Sequence, residues 1–94
     1  MLTIAICDDN ENQIKELRRL LDEWSADKPF AFAIDEYISA ESFLFSYPDK
    51  ICDLLLLDIE MKQLNGMELA KKLRSDGDML PIVFITGYSD YMND

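Results

Sequence analysis

The sequence predicts an α/β domain: a parallel sheet with helices on both faces. Three observations carry this expectation. Short apolar runs recur along the chain, at Thr3–Cys7, Leu54–Leu57 and Ile82–Ile85. Each closes abruptly on polar residues, namely Asp8-Asp9, Asp58 and Thr86-Gly87. Between the runs lie stretches with helical spacing and helix-start residues. Such alternation with short connections calls for parallel strands joined by helical crossovers. Ninety-four residues suffice for one small domain.

Thr3-Ile4-Ala5-Ile6-Cys7 is the first strand. Asn10 is a good N-cap, and Gln13 three residues on completes a capping-box-like pair. The helix that follows carries Ile14, Leu17, Leu20, Leu21 and Trp24 on one stripe, which is expected to face the core. Pro29 marks its end. Phe30 to Ile38 is β-prone and forms the second strand, with the Asp35-Glu36 break pointing to an edge position or to the strand's end. Ser39 caps a short helix carrying Phe43, Leu44 and Tyr47, closed by Pro48-Asp49. The third strand is Ile51 to Leu57, and its four consecutive leucines read as buried on both faces. Asn65 with Glu68 forms a second capping box, opening a helix from about Gly66 to Arg74 with Met67, Leu69 or Ala70, and Leu73 inward. Lys71, Lys72 and Arg74 suit its C-terminal end. Ser75-Asp76-Gly77-Asp78 is a turn. Pro81 starts the fourth strand, and Tyr88 to Asp94 begins a further helix.

Composition narrows the function. Apolar residues make up 49% of the chain, enough for a packed core, and charged residues 30%, which argues against disorder. The net charge of −10 repels phosphate backbones, so this segment is not expected to bind nucleic acid by itself, although it could attract a cation. No basic leader and no span-length apolar run is visible. Two cysteines, Cys7 and Cys52, offer neither a disulfide framework nor zinc spacing. They read as reduced and structural in a cytoplasmic protein. With no His in the sequence, His-based acid–base catalysis and a phosphohistidine donor are excluded.

If the sheet is doubly wound in the flavodoxin-like order 2-1-3-4, the first and third strands meet at the topological switch point, where ligands bind beyond the carboxyl ends. Asp8, Asp9 and Asp58 would then share one crevice. Carboxylates so crowded repel one another unless a cation sits among them, and Mg²⁺ with oxygen ligands suits the place. The fourth strand delivers the Thr86 hydroxyl to the same edge. From its own strand alone, Asp58 is as readily a strand end as a reactive group, and Asp8 and Asp9 could merely cap the first helix. Agreement of three strand ends favours a phosphorylated aspartate.

These residues resemble the receiver domain of bacterial two-component response regulators. The matching motifs are Ile6-Cys7-Asp8-Asp9-Asn10, Leu54-Leu55-Leu56-Leu57-Asp58-Ile59-Glu60-Met61 with Asn65-Gly66, and Pro81 to Gly87, in the family's order and spacing over nearly the whole chain. Asp58-Ile59-Glu60-Met61 and Asp35-Glu36-Tyr37 leading into Ser39-Ala40-Glu41 look most like receivers joined to LytTR-type DNA-binding domains. The resemblance implies that Asp58 accepts a phosphoryl group from a sensor histidine kinase. It implies Mg²⁺ held by Asp8, Asp9, Asp58 and the backbone carbonyl of Glu60, with Thr86 bonding the phosphoryl oxygen. Glu60 and Tyr88 would overlook the pocket and tune the phosphoryl lifetime. Lys62 stands where the family usually has proline.

Receivers continue with a fifth strand bearing an essential lysine and a last helix. No lysine here follows the fourth strand, so residues 1–94 are expected to be a C-terminally truncated receiver. The fourth strand is then an apolar edge, which predicts a homodimer. DNA contact would come only through an output domain, and no membrane contact is expected. The chain is expected to be a signalling switch rather than an enzyme acting on other molecules. The alternatives are an aspartyl-nucleophile phosphatase of haloacid-dehalogenase type, or a pseudo-receiver serving as an interaction module. The phosphatase pattern wants Asp-x-Asp near the start, which the central Asp58-Ile59-Glu60 does not match.

Overall fold

The computed structural model describes residues 2–28, 31–47, 49 and 51–85. Its elements are β1 (Leu2–Cys7), α1 (Glu11–Ser25), β2 (Phe32–Tyr37), α2 (Ala40–Ser46), β3 (Leu54–Asp58), α3 (Gly66–Ser75) and β4 (Ile82–Ile85). The four strands form one sheet in the order β2-β1-β3-β4, and every pairing is parallel. This is the flavodoxin-like order expected from the sequence. Asp35 and Glu36 lie within an edge strand, the first of the two places their polarity allowed, and the strand continues past them to Tyr37.

Side-chain alternation along β1 divides the molecule into two layers. Ala5 and Cys7 point into a core shared with Leu55 and Leu57 of β3, Ala40 and Phe43 of α2, and Leu69 and Leu73 of α3. Phe43 is central there: the Tyr37 ring meets it edge-on at 5.2 Å and the Tyr47 ring stacks on it at 4.9 Å. Ile4 and Ile6 point the other way. Glu36, the register partner of Ile6, pairs with Arg18 of α1 at 2.8 Å, which places α1 over that second face. Among the described residues, one helix therefore covers one face and two cover the other.

That asymmetry corrects two expectations. Leu55 and Leu57 are fully buried, but Leu54 and Leu56 are only half-buried, so the leucine run is not enclosed on both faces. On α1, Ile14 is buried while Leu20 and Trp24 are 46% and 52% exposed. A single helix cannot span four strands some 4.8 Å apart. Its stripe thus meets the sheet only along part of its length.

Local signals set the element boundaries. Asn10 caps α1 by accepting from the Asn12 and Gln13 N–H groups. The reciprocal bond of a capping box is absent because the Asn10 N–H donates to Asp8 Oδ1 instead, at 2.9 Å. Asn65 and Glu68 do form a complete box on α3. The third strand begins at Leu54, later than the expected Ile51. Asp53 turns the chain there by accepting the Thr3 N–H and donating its own N–H to the Thr3 carbonyl. Met67, expected inward, is 45% exposed, and Leu69 and Leu73 form the inner face of α3. The second strand is shorter than Phe30 to Ile38: Ile38 is exposed beyond its end, and Phe30 lies outside the described residues.

Candidate functional site

Strands β1 and β3 run side by side, with Cys7 level with Leu57. The residues that follow, Asp8 and Asp9 from β1 and the last residue of β3, Asp58, emerge together at the carboxyl edge of the sheet. One oxygen from each lies within 4.8 Å of the others. Each carboxylate is also held by a main-chain N–H. Asn10 N–H donates to Asp8 Oδ1 at 2.9 Å, Glu60 N–H to Asp58 Oδ1 at 3.2 Å, and Lys62 N–H to Asp9 Oδ2 at 3.3 Å. Among the described residues no basic side chain forms an ion pair with any of the three.

The electrostatic consequence is strong. Burial, then the neighbouring Asp8 charge, pushes the Asp58 carboxyl up to about 7. Burial also raises Asp8, which is 2% exposed, although the Asn10 N–H bond opposes this. Below them Cys7 is pushed up to about 12 by burial and by the charges of Asp8 and Asp58. Its sulfur lies 3.8 Å from that of Met61. A thiol with so high a pKa is not a nucleophile. Cys7 and Cys52 are both free and buried. They lie about five strand residues apart along the sheet, roughly 16 Å, far too distant for a disulfide.

The donor set fits a hard divalent cation. Three converging carboxylates, two of them with raised affinity for protons, offer oxygen ligands and net negative charge without a protein counter-ion. Beside them the β3–α3 loop opens a cleft lined by Asp9, Ile59, Glu60, Met61, Lys62 and Asn65.

Gly66 makes this geometry accessible. The chain of α3 passes so close to β3 that a Cβ at Gly66 would fall inside contact distance of the Asp58 carbonyl oxygen, and 3.0 Å from the Ile59 Cα. Its N–H donates to the Ile59 carbonyl. The role of Gly66 and the Lys62–Asp9 bond are not readable from sequence spacing, because both depend on the loop's path. The Leu64 N–H, donated to Glu41 Oε2 at 3.3 Å, ties the same loop to α2. Thr86 and Tyr88 lie outside the described residues. Thr86 directly follows Ile85, the register partner of Asp58.

The family model for the response regulator receiver domain matches residues 4–94. The chain belongs to this family. Receiver-containing relatives include TodT of Pseudomonas putida, 28% identical over 87 residues that make up 93% of this chain and 36% of TodT. FixJ of Rhizobium meliloti is 35% identical over 91 residues, 94% of this chain and 40% of FixJ. The receiver thus spans well under half the length of these curated relatives. Among solved structures, the response regulator TrrA in complex with the histidine kinase ThkA matches with a TM-score of 0.77 and 31% identity, over 100% of this chain and 76% of that one. TrrA from Thermotoga maritima has also been solved in complex with Mg²⁺-BeF, and matches at 32% identity with a TM-score of 0.72. No helix of the described residues is long and apolar enough to cross a membrane.

Proposed function

We propose that this receiver takes a phosphoryl group from a sensor histidine kinase onto Asp58 and relays it to an output domain of LytTR-type, DNA-binding character. The observation that supports it most is the convergence of Asp8, Asp9 and Asp58 within 4.8 Å at the switch point of the sheet. The TrrA structures, one with a kinase and one with Mg²⁺-BeF, support the partner and the cation.

In this reading the Asp58 Oδ2 attacks phosphorus while Oδ1 stays anchored on the Glu60 N–H. An O–P bond forms, the P–N bond to the donor imidazole breaks, and its electron pair remains on the nitrogen. Asp8, Asp9 and Asp58, with the Glu60 carbonyl, would hold the cation, and the Thr86 hydroxyl would donate to a phosphoryl oxygen. A bound Mg²⁺ supplies neutralisation of the carboxylates and of the transferring phosphoryl oxygens. At net charge −10 the domain itself repels DNA, so the output belongs to another domain.

Incubation of the full-length protein with acetyl phosphate and Mg²⁺, followed by intact mass measurement, tests this. Wild type should gain one phosphoryl group, and chelation of the cation or Asp58→Asn should abolish the gain. Equal incorporation by Asp58→Asn overturns the assignment.

We also propose that the 94-residue chain self-associates through β4. This strand is an edge of the sheet among the described residues, and its Val83 and Phe84 are 49% and 40% exposed. Light scattering at tens of micromolar should give about twice the 10.9 kDa chain mass, and Val83→Lys should return it to one. A monomeric mass for wild type sinks the proposal.

A further inference from the structure

Lys62 lies on the β3–α3 loop between two clefts that share Asp9. One holds Glu60 and Asn65, the other Asn10, Glu11 and Ile38. Every other charged residue lining either cleft is acidic. Lys62 is exposed, and among the described residues its ammonium has no ion-pair partner. Its main chain is tethered: the N–H donates to Asp9 Oδ2 at 3.3 Å. The next residue, Gln63, takes φ = 61°, a left-handed conformation that turns the loop sharply just after this anchor.

From such an anchor the ammonium cannot stray more than about 11 Å from the Asp9 carboxylate, roughly one Debye length at 0.1 M salt. A charge held there acts with opposite sign on the two species the site must bind. It repels a divalent cation and attracts a phosphoryl dianion. A proline at this place would have neither the charge nor the N–H.

We propose that Lys62 is a positioning residue for phosphoryl transfer: its main-chain N–H is anchored on Asp9, and the ammonium it carries weakens cation uptake and draws in the anionic phosphoryl donor. The inference rests on the phosphoacceptor reading above.

Lys62→Gln keeps the N–H and removes the charge. With Mg²⁺ as the probe, calorimetric titration at low ionic strength should show its Kd falling by about twofold to fivefold. Phosphorylation of the full-length protein by acetyl phosphate at saturating Mg²⁺ should slow by a similar factor. Both differences should close as salt approaches 1 M, and Lys62→Arg should behave as wild type. A purely structural role for Lys62 would not move the two readouts in this pattern or give them this salt dependence. Unchanged Mg²⁺ affinity in Lys62→Gln at low salt overturns the proposal, as does a change that persists in high salt. If wild type takes up neither Mg²⁺ nor a phosphoryl group, the phosphoacceptor reading and this one both fall. If Asp58→Asn alone blocks phosphorylation and Lys62→Gln is silent, only this one does.

Discussion

Gly66→Ala is expected to cost about 3 kcal/mol of stability or more, read from the urea midpoint at unchanged slope. The added methyl would strike the backbone carbonyl of Asp58, which is part of the β3 ladder and has no flexible end to yield. Relief needs α3 to move away from β3. That would pull Leu69 and Leu73 from a core in which both are almost fully buried. The same push displaces the Asp58 backbone, so Mg²⁺ binding should weaken together with stability. Gly77 gives the contrast. It adopts φ = 83° and a Cβ there meets nothing, so Gly77→Ala should cost only about 1 kcal/mol, the conformational term alone. Equal losses at the two positions would refute the steric account.

Asp58→Asn is expected to stabilise the metal-free domain at pH 8 by an amount on the order of 3 kcal/mol. The sign follows from proton binding. The Asp58 carboxyl titrates near 3.8 when unfolded and near 7 when folded, because burial and the Asp8 charge disfavour its ionised form. Between these values the folded state holds a proton that the unfolded state has released. The stabilisation this provides is present below about pH 4 and is lost as pH rises through about 7. Asparagine carries no such charge, so the variant's melting temperature should change less across that interval. Saturating Mg²⁺ should reverse the order at pH 8, stabilising wild type well above the variant, because the cation restores the ionised carboxylates to a favourable setting. A variant less stable than wild type at pH 8 without metal would show that the cluster is not electrostatically strained.

The placement of the acidic cluster was legible because each carboxylate ends an apolar run, and parallel strands bring such ends to one edge. Strand order followed from the same alternation. The capping residues Asn10, Ser39 and Asn65 were legible too, since their chemistry is local. The α1 stripe was not. Helical periodicity tells which side of Leu20 and Trp24 is apolar, but not how much sheet lies beneath that side. The start of β3 differs because Ile51 and Cys52 are apolar and lie just before the leucine run, across Asp53. It is the Asp53 bond to the Thr3 N–H, made 50 residues away, that delays the ladder. The contacts of Lys62 and Gly66 depend on how a loop turns through Gln63, and no spacing rule encodes that path.

The same half-covered face supplies an optical consequence. Trp24 is the only tryptophan in the sequence, and it stands on α1 at 52% exposure with the Lys28 ammonium 5.2 Å from its ring centre. Its indole is half exposed, so its emission responds to what covers it. A blue shift on adding a partner would report that something has settled over the second face of the sheet. Buried events at the aspartates, screened from it by β1 and α1, would leave the emission nearly unchanged.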